Sequence, residues 1–198
     1  RYNTFSGNYA YISNNGWHHN IKGGVSQAES ITAKNSKKDL DGTKNISINY
    51  NSQKFLNDGL KFKNIGYLRK TNSGYDVSAD ENATAKNFMY AVQSSLESKV
   101  ENKESKFSTH VHVYDRVYDE DVKNKYYSQS YLVKGERKIK HSENLSYGFG
   151  SDYNYAKGDF IVHGTYGSSA KGHMDNLGFF ANAGLKTDNK TTLSGHIR

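Results

Sequence analysis

The chain has 198 residues, of which 34% are hydrophobic, with a mean hydropathy of -0.89, a net charge of +7 and neither Pro nor Cys. No apolar run approaches the roughly 20 residues that a membrane-spanning helix needs, so a helical membrane protein is excluded, and there is no disulfide frame or thiolate metal site. Lys and Arg are scattered among Asp and Glu rather than gathered in a stripe, which argues against nucleic acid as a partner. What apolar surface exists lies largely in 16 Tyr and 9 Phe, residue types that favour strands and membrane interfaces.

In chain order, residues 2–12 (YNTFSGNYAYI) alternate, with Phe5, Tyr9 and Tyr11 on one parity. A turn signal at 13–16 (SNNG) leads to an arm that sets Trp17, Ile21 and Val25 against His18, Asn20, Lys22 and Ser26. A polar stretch near 27–42 is expected to be a long loop, and Asp39 and Asp41 within it (KKDLDG) read as an ordinary turn. Ile46, Ile48 and Tyr50 then alternate with Asn45, Ser47, Asn49 and Asn51, a short turn follows near 56–59, and Leu60 to Lys70 runs back less tidily.

A second long loop is expected near 71–86. Phe88, Tyr90, Val92 and Leu96 follow on one parity, a turn near 101–104 reverses the chain, and Phe107, Thr109, Val111 and Val113 oppose Ser108, His110, His112, Tyr114 and Arg116. After a loop near 118–126, the stretch QSYLVKGERKIKHSENLSYGFGSDYNY reads as one long hairpin turning at 142–144. Tyr131, Val133, Tyr147, Phe149, Tyr153 and Tyr155 lie on its apolar parity, and Lys134, Glu136, Lys138 and Lys140 on the polar one. A Gly-rich loop is expected near 157–175, and a last hairpin turns at 187–189.

About ten strands result, joined by short and long connections in strict alternation. Most arms run about 10 to 13 residues, against a mode near 5–6 in soluble proteins and the 9–11 that a tilted membrane-spanning strand needs. Short turns on one side and longer loops on the other are the habit of transmembrane barrels, in which the apolar face meets lipid and the polar face lines a wet interior. The expected fold class is therefore all-β: antiparallel up-and-down transmembrane barrel strands, forming part of a larger barrel in a single partial domain. The opening RYNTFSGNYAY and the closing TTLSGHIR both read as strand, so both ends are expected to be internal to a longer strand series.

Under this reading the polar lumen lining includes His110, His112, Tyr114, Arg116, Lys134 and Glu136. His110 and His112 at i, i+2 share a face, but no third ligand accompanies them, so no metal site is expected. Tyr11, Trp17, Phe55, Phe107, Tyr126, Tyr127, Tyr153 and Tyr155 bracket the arms and read as interfacial girdles. No nucleophile elbow, HExxH motif or phosphate loop is present, so neither catalytic residues nor a cofactor are expected.

The pieces NYNSQKFLNDGLKFKNIGYLRKT, YLVKGERKIKHSENLSYGFGSDYNY and KGHMDNLGFFANAGLKTDNKTTLSGHIR resemble the middle of the barrel of TonB-dependent outer-membrane receptors of the cobalamin and siderophore type. The resemblance lies in strand-turn-strand texture and covers most of the chain. It implies a bacterial outer-membrane location and import of a scarce nutrient such as cobalamin or a ferric siderophore. It also implies a plug domain and TonB as partners, although neither a plug nor a TonB box is visible in these residues. Ligand contacts are then expected in the outer loops, with His163, Tyr166, Lys171 and His173 as candidates. Another outer-membrane barrel (porin, adhesin or autotransporter) and a soluble β-rich surface module remain as alternatives.

Overall fold

The computed structural model describes residues 2–29, 42–76, 82–119, 123–163, 167–187 and 192–197. They form ten strands: β1 (Tyr2–Ile12), β2 (His18–Glu29), β3 (Gly42–Asn57), β4 (Leu60–Asp76), β5 (Asn82–Val100), β6 (Lys103–Asp119), β7 (Lys123–Lys140), β8 (Leu145–Val162), β9 (Ser169–Lys186) and β10 (Thr192–Ile197). All belong to one antiparallel sheet in which each strand pairs with its sequence neighbours, from β1 at one edge to β10 at the other. The expected period-two elements are all present as strands.

The turns at one end are closed by local chemistry. Gly16 takes the left-handed conformation (φ 81°) that a turn there needs and that glycine adopts without a Cβ penalty. Ser13 Oγ accepts the Trp17 N–H at 3.1 Å, and the Ser13 carbonyl accepts the Gly16 N–H at 2.9 Å. Asn57 Oδ1 accepts the Gly59 N–H at 3.1 Å, an Asx turn at the β3–β4 reversal, beside a bulge between Phe55 and Asn57.

Beyond the apolar region the strands run farther than expected. Of the stretches read as long loops, 71–76 completes β4, 82–86 opens β5, 157–162 completes β8 and 169–175 opens β9. β3 to β9 reach 16–19 residues, well past what a bilayer needs. The ladder continues there because neighbouring strands of equal length satisfy each other's N–H and C=O groups. The sequence loses its alternation because both faces are then wet. Asp39 and Asp41 lie outside the described residues.

Successive short turns do not lie level in the hydrogen-bond register. His18 closes the first hairpin and pairs with Gln53, yet β3 runs on to Asn57 before turning. Leu60 pairs with Ser98, and β5 continues to Val100. Lys103 pairs with Ile139 and β7 reaches Lys140, while Ser146 pairs with Gly184 and β9 reaches Lys186. The drift averages about one residue per strand; with a rise of about 3.3 Å and a strand spacing of about 4.8 Å, it corresponds to a tilt of roughly 35° if the turns share one plane.

The apolar face drifts in step. The register row through Val25 passes Ile46, Lys70, Phe88, Asp115, Tyr127 and Asp159 and meets β9 at Lys171, six residues above Leu177, the last apolar residue on that strand's face. An apolar band that crosses the register at the angle of the turns is a flat belt around tilted strands. Its side chains are uncovered: Phe5 is 79% exposed, Tyr9 64%, Leu177 61% and Phe179 68%. Among the described residues the buried hydrophobic core is limited to Ala83, Ala85 and Val113. So wide an apolar face without a protein core is stable only against lipid.

Candidate functional site

The opposite face carries the polar chemistry in three tiers. Nearest the short turns, one register row runs Lys61, Glu97, Lys106, Glu136, Gly150 and Phe180 across β4 to β9. Glu97 accepts from Lys61 Nζ at 2.7 Å and Lys106 Nζ at 3.1 Å, one carboxylate oxygen each. Glu136 accepts from Lys134 Nζ at 2.9 Å. The same ammonium lies 4.9 Å from the centre of the Phe180 ring, reaching across β8. Gly150 leaves the space: a Cβ there would lie 2.5 Å from Phe180 Cζ and closer still to the Gly135 carbonyl oxygen. Lys134 and Glu136 thus belong to a belt of alternating charge.

In the middle tier, His110 Nε2 lies 3.3 Å from Ser108 Oγ, and His112 pairs in register with Ala91 and Ser130. No group of three His, Asp or Glu side chains able to hold a metal ion exists among the described residues.

The tier toward the longer connections is richer. One row runs Asn45, Thr71, Asn87, Arg116, Tyr126 and Phe160 across β3 to β8. Asn45 Oδ1 accepts from Thr71 Oγ1 at 2.7 Å and Arg69 Nη2 at 3.2 Å, and Asn87 Oδ1 accepts from Tyr114 Oη at 3.1 Å. The Arg116 guanidinium sits 4.1 Å over the Tyr118 ring. Tyr118 meets Tyr126 edge-on at 5.8 Å, and Tyr126 stacks on Phe160 at 4.4 Å. Arg116 Nε is shielded from solvent without a hydrogen-bond acceptor among the described residues, a cation with donor capacity to spare. An aromatic shelf beside such a cation can hold a flat, anionic ligand.

The sequence singles out Tyr114 and Arg116 as lumen-facing, but not Tyr118 or Phe160. Tyr126 was read as an interfacial girdle residue, but its pairing with Arg116 places it on the polar face. Phe55 is likewise on that face, opposite Lys61. The signal for Tyr126 was available: it shares the parity of Lys134 and Glu136 on the same strand. For Phe160 no such anchor existed, because it lies where the alternation has faded.

The loop candidates separate. His163 follows β8 directly, and its N–H bonds to the Lys123 carbonyl at 3.2 Å. Tyr166 lies outside the described residues. Lys171 and His173 are in β9 rather than in a loop, paired with Asp159 and Lys157 on the parity of Leu177 and Phe179, and the His173 ring stacks on Tyr155 at 6.4 Å. They therefore point away from the polar face.

No family model and no curated protein sequence matches the chain. Solved structures do. The ferric yersiniabactin uptake receptor FyuA from Yersinia pestis is similar over 98% of this chain and 37% of its own, at 10% identity and a TM-score of 0.64. The outer membrane transporter YddB from Escherichia coli is similar over 92% of this chain and 31% of its own, at 11% identity and a TM-score of 0.65. The siderophore receptor PiuA from Acinetobacter baumannii gives 98% and 43%, at 12% identity and a TM-score of 0.55. The chain thus spans between about a third and two fifths of each of these structures, and at such low identity what they share with it is the fold, that of a transmembrane β-barrel wall.

Proposed function

We propose that this chain is part of the wall of a bacterial outer-membrane receptor that imports a scarce nutrient, with energy supplied through TonB and a plug domain held against the polar face. The observation that carries the reading is the two-faced sheet itself: an apolar face open across ten strands, backed by a polar face that holds four of the five ion pairs among the described residues. The likeness to a ferric yersiniabactin uptake receptor and to a siderophore receptor favours a ferric siderophore over cobalamin. In this reading the Arg116–Tyr118–Tyr126–Phe160 shelf contacts the ligand on its way in, and His163 stands at the crest of the adjoining hairpin. No catalytic step is involved.

Arg116→Ala and Tyr126→Ala test the shelf. Removing a charge-assisted hydrogen bond or an aromatic contact costs about 1.5–3 kcal/mol, so each variant is expected to bind labelled ferric siderophore about 10- to 100-fold more weakly. Wild-type affinity in both variants sinks the shelf. Uptake that persists at full rate in cells lacking TonB sinks the transport reading and leaves a passive channel or an adhesin.

A further inference from the structure

On four strands, the residue two places beyond the last apolar side chain of the lipid-side face, toward the longer connections, is a lysine, and on a fifth, β8, a lysine follows Tyr155 with Ile161 four residues farther on. Lys44 follows Ile46, Lys70 follows Leu68, Lys86 follows Phe88, Lys125 follows Tyr127 and Lys157 follows Tyr155. A step of two keeps each lysine on the same face as the apolar residue before it. Four of the five are exposed and Lys157 is half-buried. None takes part in an ion pair among the described residues, whereas four of the five ion pairs found there lie on the polar face. Asp115, Asp159, Asp175, Glu29 and Asp119 share this end of the lipid-side face; Lys123, which pairs with Asp119, and Lys171 lie there as well, so among the described residues seven lysines stand beside five carboxylates.

We propose that these lysines form a collar that binds the phosphates of anionic lipid headgroups in the leaflet next to the longer connections. The proposal rests on the membrane-wall reading above. Continuity with the apolar band sets the height: where the acyl chains end, headgroups begin, and a lysine one step farther meets them. An ammonium on a four-carbon stem suits this role, because its three donors need no fixed angle and its apolar stem can lie along the belt while the head reaches the phosphates. The face that continues a lipid-contacting belt cannot be reached by a soluble partner without displacing lipid, so the occupant is a lipid phosphate rather than a peptide.

The test uses the intact polypeptide that carries these residues, reconstituted into nanodiscs of mixed phosphatidylcholine and phosphatidylglycerol, with retained lipid counted by native mass spectrometry. The wild type is expected to retain phosphatidylglycerol several-fold over phosphatidylcholine. K44Q/K70Q/K86Q/K125Q/K157Q is expected to lose that preference, and the polar-face control K99Q/K138Q to keep it. Should the five-site variant not fold, K70Q/K86Q alone is expected to reduce the preference about twofold, and no reduction overturns the collar. Equal retention of both lipids by the wild type also overturns it, as does displacement of the bound lipid by millimolar inorganic phosphate. Failure of the wild type to enter a bilayer at all overturns the membrane reading instead, which keeps the two failures distinct.

Discussion

Gly150 shows how a single missing side chain organises the wall. Its place in the charge row belongs to the Phe180 ring, which covers the bare backbone of β8 and receives Lys134 from the far side. A methyl group at 150 meets both the ring and the Gly135 carbonyl. Gly150→Ala is therefore expected to lower unfolding stability in lipid vesicles by about 1–3 kcal/mol, the range for forcing volume into a filled space. In a Phe180→Ala background the same substitution is expected to cost less, because one of the two obstacles is gone. Additive effects in that double-mutant cycle would count against the ring as the obstacle.

At the scale of the strand, what matters is which face a residue occupies. Val111 lies mid-strand on the apolar face of β6 and Gln93 on the polar face of β5. Val111→Lys is expected to destabilise by about 2–4 kcal/mol, the penalty for a lysine at the lipid midplane. Gln93→Lys is expected to change stability by less than about 0.5 kcal/mol, since its ammonium stays wet. Urea unfolding of both in vesicles checks this, and equal penalties would refute the assignment of faces. Those faces were legible in the sequence wherever one side met lipid: Tyr131 and Val133 against Lys134 and Glu136 need no structure to be sorted. Strand ends were not legible. Past Lys70 on β4 and before Phe88 on β5, the apolar alternation fades, so Thr71 to Tyr75 and Ala83 to Lys86 look like loop although their ladders are intact. The shelf suffered from the same silence. Arg116 and Tyr114 lie on a strand with clear parity, while Phe160 and Tyr118 sit where alternation no longer reports the face, and only the cross-strand register unites them.

For the whole molecule, a sheet with a lipid face and two outer strands, β1 and β10, that do not pair with each other calls for further strands or further copies to complete a wall. If the wall is one polypeptide of the size of the similar receptors, its intact mass after detergent extraction from outer membrane is expected to be about three times 22.3 kDa, with heat-modifiable migration in gels. A mass near 22.3 kDa refutes that arrangement, and migration unaffected by heat together with solubility in plain buffer refutes the barrel. The tilt of roughly 35° also has a mechanical meaning. A pull along the barrel axis loads strands at that angle mostly along their length, so neighbouring strands are asked to slide rather than to unzip. Ladders such as β4–β5, with 17 paired positions, then share the load across many hydrogen bonds at once. Whatever is held against the polar face by single ammonium–carboxylate contacts yields first, and the wall behaves as the anvil against which something else is moved.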